Sequence, residues 1–272
     1  MCIKERNASD STCKKLLRDK GCFADLCNYA FFQGRQVIQP EELVSRENDL
    51  STLIGKVDKP TEIKRYRDVV RKASIHGEYV IIGVEHQSTF DEKMIFRILN
   101  YDATIYINQV ESKQEIYPVG SFVFYTGDKE WKSPETLKNI PSEMEPYIND
   151  WRLPVVELKT IDARKLTNQR LKEVVEISQS MFAGNYDDLR NNRKIETESF
   201  MMAATFTRTK IKREDLPEGD EINMCKAMDQ LFQRMRDEGK LNTLKELLKV
   251  KLGTLSRPLE KQLTNTSLEK LN

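Results

Sequence analysis

The chain has no apolar run approaching the roughly 18 residues a transmembrane helix needs, so no membrane partner is expected. Its opening residues, MCIKERNASDSTCKKLLRDK, are basic and polar without an apolar stretch, which speaks against a secretory signal and for a cytoplasmic protein. Paired cysteine spacings are missing too. The five cysteines, Cys2, Cys13, Cys22, Cys27 and Cys225, show none of the two-residue separations of a zinc site, and read as reduced, packed thiols. Nor is there a charge excess: 44 Lys+Arg stand against 43 Asp+Glu, for a net charge of +1. A polyanionic partner is neither announced nor excluded, because local clustering decides that question. There is no repeat of fixed period and no low-complexity tract. At 272 residues the chain can form one large domain, or one domain with an appendage.

What is present is a change of hydrophobic period along the chain. TCKKLLRDKGCFADLCNYAFF, residues 12–32, has helical spacing in its later part and an interruption near Gly21. GRQVIQPEELVSRENDLSTL then reads as an irregular connection with at most one short strand. RYRDVVRKA and EYVIIGVEHQ follow as two strands about an SIHGE turn, where Gly77 suits a hairpin. From Asp91 the period shifts to about 3.6, with Met94, Ile98, Tyr101 and Ile105 on one stripe and Lys93, Arg97, Asn100 and Thr104 opposite. Ser88 or Thr89 is the expected cap of that helix. PVGSFVFYTG and LPVVELKTI read as two further strands. After Ala163 helical patterns take over, so the expected organisation is an α/β domain over 12–163 and an all-helical region over 164–272.

The run VIIGVEHQS poses the chemical question, since an apolar strand buried on both faces should not end in Glu-His-Gln. Side chains alternate along a strand, so Glu85 and Gln87 share one face and His86 takes the other. If the hairpin pairs about its turn, Asp68 of the first strand comes close to Glu85. Two converging carboxylates stay ionised cheaply only with a cation between them, and oxygen ligands select a hard ion such as Mg²⁺ or Mn²⁺. Such an ion activates water and steadies a phosphorus centre. On spacing alone, the same two residues read more readily as solvated charges at a sheet edge.

The flanks add a resemblance. The stretch RYRDVVRKA to EYVIIGVEHQSTFDEKMIFRILNYDATIY resembles the core of the recombination-promoting nuclease family, also described as PD-(D/E)XK-nuclease family transposases. The likeness includes EHQS, the helix carrying Met94, Arg97, Leu99 and YDA, the strand FVFYTGDKEW and the later EINMCKAMDQ, and spans roughly residues 20 to 240. It implies a restriction-endonuclease-like mixed sheet flanked by helices, with Asp68 and Glu85 as metal ligands. Gln87 stands where the wider superfamily has Lys, as it does in members of this family. Gln carries no charge and can only orient the attacking water through neutral hydrogen bonds, so a slower or more metal-dependent enzyme is expected. The implied activity is Mg²⁺-dependent (or Mn²⁺-dependent) DNA cleavage associated with recombination or element mobility. The alternatives are a catalytically weak DNA-binding or protein-interaction module of the same fold, and a defence nuclease acting on foreign nucleic acid.

Other polar residues are assigned with both readings open. Arg97 and Lys93 are the candidate DNA contacts, Arg97 being equally a structural ion pair. His86 is expected to be packed, His76 exposed in the turn, and Arg65, Arg67 and Arg71 to line a surface. Asp25 is a candidate for the extra acidic residue that some nucleases of this fold carry on their first helix. Met201, Met202, Met224, Met228 and Met235 read as helix core. The final KELLKVKL helix could pack internally, present lysines to DNA, or support a homo-oligomer.

Overall fold

In a computed structural model of the chain, the described residues are 3–44 and 69–234, apart from 114, 133, 140–142, 144 and 148, together with 236, 239 and 243. Strand β1 (Val69–Ile75) pairs antiparallel with β2 (Glu78–Gln87) in a register that sets Ile75 opposite Glu78 and Val69 opposite Val84. The turn between them is only His76 and Gly77, with φ of 52° and 87°. Two successive positive φ values define the hairpin turn whose twist matches that of the strands, and Gly77 adopts its value without a Cβ penalty. Asp68, Arg65 and Arg67 lie outside the described residues.

Beyond β2 the sheet is parallel. β2 pairs with β3 (Val119–Tyr125) and β3 with β4 (Val155–Glu157), giving the order β1-β2-β3-β4. This is a mixed sheet flanked by helices, compatible with the restriction-endonuclease-like architecture read from the sequence. From Ile81 onward every residue of β2 is buried, as an inner strand of a covered sheet requires. The crossover from β2 to β3 is α3 (Met94–Glu111), whose Met94, Ile95, Ile98 and Tyr101 pack with Val123, Tyr125, Trp131 and Leu153 on one face. The other face places Ile82, Val84, Phe122 and Phe124 against α1 (Ile3–Arg18), α2 (Lys20–Phe32) and α4 (Gln169–Phe182). Each fully buried Phe or Leu there stabilises the fold by about 1.5–3 kcal/mol relative to exposure.

Two helix boundaries differ from the sequence reading for identifiable reasons. The first helical stretch breaks at Asp19 rather than at Gly21, because the Asp19 carboxylate caps α2 by accepting from the Cys22 amide at 2.8 Å. The carbonyls left at the end of α1 are met by Arg71 of β1, which donates to Leu17 O and Arg18 O at 2.9 and 3.0 Å and lies over the Phe23 ring. Arg71 is thus a cap for a neighbouring helix, not a surface residue of its own strand. Helix α3 starts at Met94 with Lys93 as its cap residue, so neither Ser88 nor Thr89 caps it. The Asp91 side chain accepts from the Lys93 amide and closes the first turn instead. Of the connection after α2, residues 34–44 are described, and among them Leu43 forms a bridge to Ala73.

The chain divides into two compact units. The first comprises Met1–Asn185 and Glu198–Lys210, so it holds the sheet, α4 and nearly all of α5 (Thr197–Thr207). The second comprises Tyr186–Thr197 and Ile211–Asn272. It contains two antiparallel three-residue strands, β5 (Lys194–Glu196) and β6 (Glu221–Asn223), where the sequence reading has helices alone. Strands this short leave no period of two to detect, and β6 runs straight into a helix over 224–234. Met202, Met224 and Met228 are buried, in keeping with helix-core roles. Met235 and the KELLKVKL helix lie outside the described residues. No helix among the described residues is long and apolar enough to cross a membrane.

Candidate active site

Period two along β2 sends Glu85 and Gln87 toward α3 and His86 toward the opposite layer. The parallel register continues the polar line across the sheet: Glu85 stands beside Val123, Gln87 beside Tyr125, and Tyr125 beside Glu157. Glu85 is not a solvated edge charge, since only 5% of it is exposed. A carboxylate buried that far is retained as an anion only if a cation and hydrogen-bond donors compensate for the lost water. Both are in place on one oxygen. Glu85 Oε1 accepts from Arg97 Nη2 at 3.1 Å and from Gln87 Nε2 at 3.2 Å.

Arg97 reaches this point from the first turn of α3. Its Nη1 donates to Asp91 Oδ2 at 2.7 Å and its Nε to the Tyr101 hydroxyl at 3.4 Å, so one guanidinium joins two carboxylates and a phenol. Burial would weaken its hold on its proton, but the hydrogen bonds to Tyr101 and Asp91 and the charge of Glu85 outweigh that and raise its pKa further. For Asp91, burial pulls the pKa upward, while the Lys93 amide and the Arg97 guanidinium bring it below the ordinary carboxylate value. The ion-pair role of Arg97 is therefore present in the structure. Lys93 is exposed at the start of the same helix.

His86 is fully engaged on the other face. Its Nδ1 pairs with Asp10 Oδ1 at 2.9 Å and its Nε2 with the Thr126 hydroxyl at 2.8 Å, with the Phe124 and Phe206 rings against it. It joins α1 to the sheet and is turned away from Glu85. Asp25 proves to be a structural acceptor: it is buried and receives the Thr167 and Asn168 amides at 2.8 and 2.9 Å, with Gln36 Nε2 at 3.0 Å. That clasp fixes the entry into α4 and leaves α2 without a solvent-facing carboxylate at this position.

Farther along the polar line, burial and the charges of Asp128 and Glu157 raise the Tyr125 pKa, while Arg208 opposes them. Glu135 is likewise raised, by burial and then by Glu157. Arg208 also donates to the Ser88 carbonyl at 2.8 Å, directly after the Glu-His-Gln run. Sequence reasoning passed over Arg208, which lies 120 residues from its acceptor.

Among the described residues, no three His, Cys, Asp or Glu side chains gather as a metal centre. The strand end nevertheless offers a buried carboxylate with an amide beside it, both hard oxygen donors. Mg²⁺ is commonly held by one or two carboxylates while it keeps several waters, so the donor type fits. Glu85 and Gln87 are brought together as read from the sequence, Arg97 joins them, and the proposed second carboxylate, Asp68, lies outside the described residues. Among the described residues the antiparallel register runs as far as the Val69–Val84 pair, one rung before Glu85.

No curated protein and no solved structure matches the chain. Residues 61–209, more than half of the chain and including both Glu85 and Arg208, match the family described as "Putative transposase, YhgA-like", and the chain belongs to that family of transposase-like proteins.

Proposed function

We propose that the chain is a metal-dependent endodeoxyribonuclease whose DNA cleavage serves recombination or the movement of a genetic element. The observation that carries this reading is the buried Glu85 carboxylate at the carboxyl end of β2, held beside Gln87 and under Arg97. In α/β sheets this end of the parallel strands is where ligands bind. A charge buried there, with a neutral amide aligned to it, is costly for a purely structural strand terminus.

In this reading Asp68 and Glu85 hold Mg²⁺, with Mn²⁺ as a substitute. When bound, the ion supplies a nucleophilic water and stabilises charge on the phosphorus centre. The Gln87 amide orients the water by neutral hydrogen bonds. Tyr101 and Asp91 hold the Arg97 guanidinium at the strand end, where it balances negative charge. Arg97 and the exposed Lys93 contact the DNA backbone from the start of α3.

The test is Mg²⁺-dependent nicking of supercoiled plasmid by the full chain, comparing wild type with Asp68→Ala, Glu85→Gln and Gln87→Ala. Cleavage should be lost in the first two and slowed in the third, since only water orientation is removed there. Undiminished cleavage by Glu85→Gln defeats the reading.

A further inference from the structure

We propose that Arg208 is a positioning residue of the active site: its guanidinium clamps the Ser88 carbonyl and thereby fixes the end of β2 that presents Glu85 and Gln87. This assignment rests on the nuclease reading of the β2 end, and the test below separates the two.

The case begins with the backbone. Arg208 follows the last residue of α5 and has φ of 57°, in the left-handed region. The Arg208 amide bonds Thr205 O and the Thr209 amide reaches back to Ala204 O at 2.9 Å, the pattern that closes a helix through a left-handed residue. Glycine is preferred at that position because it has no Cβ to clash. An arginine placed there carries strain, and such strain concentrates where a side chain is needed for function.

The second observation is what the side chain does. The β2–β3 ladder ends with Gln87 beside Tyr125, and the Thr126 amide closes it on Gln87 O at 2.8 Å. Ser88 is the next residue, 4% exposed, and its carbonyl lies beyond the ladder. Buried carbonyls require a donor, and Arg208 Nη2 provides a charge-assisted one at 2.8 Å. The bond spans two elements of the first unit and ends one residue from Gln87. It holds the strand end straight up to the point where the chain turns through Thr89 and Phe90 toward Asp91, the partner of Arg97. The same charge lies close enough to Tyr125, the neighbour of Gln87, to oppose the rise in its pKa. Arg208 therefore acts on the reacting groups through the strand that carries them.

The positive φ supplies an unusual control, because Arg208→Gly removes the guanidinium while relieving the backbone. The full chain as wild type, Arg208→Gly and Arg208→Lys is compared by thermal unfolding, by Mg²⁺-dependent plasmid nicking over a range of DNA concentrations, and by hydrogen exchange of the peptide spanning residues 82–90. Arg208→Gly is expected to leave the melting temperature close to wild type, relief of the left-handed backbone offsetting the lost hydrogen bond, yet to lower kcat by about ten- to a hundredfold with KM for DNA little changed, as loss of alignment does. Its 82–90 amides should exchange faster than wild type. Arg208→Lys, which can still donate to a carbonyl, should recover part of both. Unchanged exchange over 82–90 overturns the assignment whether or not the protein cleaves DNA. So does a rise in KM at constant kcat, which would make Arg208 a DNA contact, or a parallel fall in stability and activity, which would make it merely structural. If wild type nicks no faster than Glu85→Gln while the exchange difference is present, the nuclease reading fails and the clamp stands.

Discussion

Replacing Arg97 by Gln takes away the guanidinium 3.1 Å from Glu85 and leaves a carboxylate with 6% side-chain exposure short of its ionic partner. At that separation the gross attraction is about 5 kcal/mol for an effective dielectric constant near 20. The net value is smaller. The Arg97 side chain is 37% exposed, so solvent screens it, and burying Glu85 has already cost part of the gain. A coupling of about 1–3 kcal/mol remains. The direct measurement is a double-mutant cycle, with Glu85→Gln, Arg97→Gln and the pair compared by urea unfolding. Arg97→Gln alone should be the most damaging change, because Asp91 loses its partner at 2.7 Å as well. A loss of about 2 kcal/mol corresponds to a fall of about 4–8 °C in melting temperature for a domain of 150–250 residues. Glu85→Gln should soften the effect of Arg97→Gln, since no buried anion is then stranded. A coupling energy within about 0.3 kcal/mol of zero would refute the view of Glu85 as a compensated buried charge.

Two further outcomes follow from the same geometry. Asp25→Ala should destabilise the first unit by about 1–3 kcal/mol, because the Thr167 and Asn168 amides lose their acceptor; denaturant midpoints measure it, and a loss of nicking at unchanged stability would return Asp25 to the active site. For Asp91 the folded pKa lies below the ordinary carboxylate value of 3.8, so its pairing stabilises the fold fully above that value and is lost as pH falls through the folded pKa. Acid unfolding of Asp91→Asn should therefore show a flatter pH dependence below about 3.8, and an acid limb identical to wild type would contradict the pairing.

Much of the site was legible before any coordinates, because it depends on one strand and the helix that follows. Period two put Glu85 and Gln87 on one face and His86 on the other, and the shift to a period of about 3.6 marked α3, with Arg97 on its polar side. The family likeness rested on those same residues, and the match over 61–209 agrees with it. Local pattern could not decide between a solvated edge charge and a buried, compensated carboxylate at Glu85. Burial depends on what covers the sheet, and here the covering helix brings its own guanidinium.

Read alone, the residues set the order of strands and helices from β1 to α4, the faces of β2 and α3, and the candidate Glu85–Gln87 pair. These are consequences of side-chain periodicity and turn chemistry, which act between residues a few positions apart. Packing between layers was needed to show that Asp25 clasps Thr167 from 142 residues away, that Arg71 caps α1 across 54, and that Arg208 reaches Ser88 across 120. It likewise decided that β5 and β6, three residues each, pair at all. In each case a buried polar group had to find a partner in a neighbouring element. Which partner lies within reach depends on how the layers pack, and no local period records that.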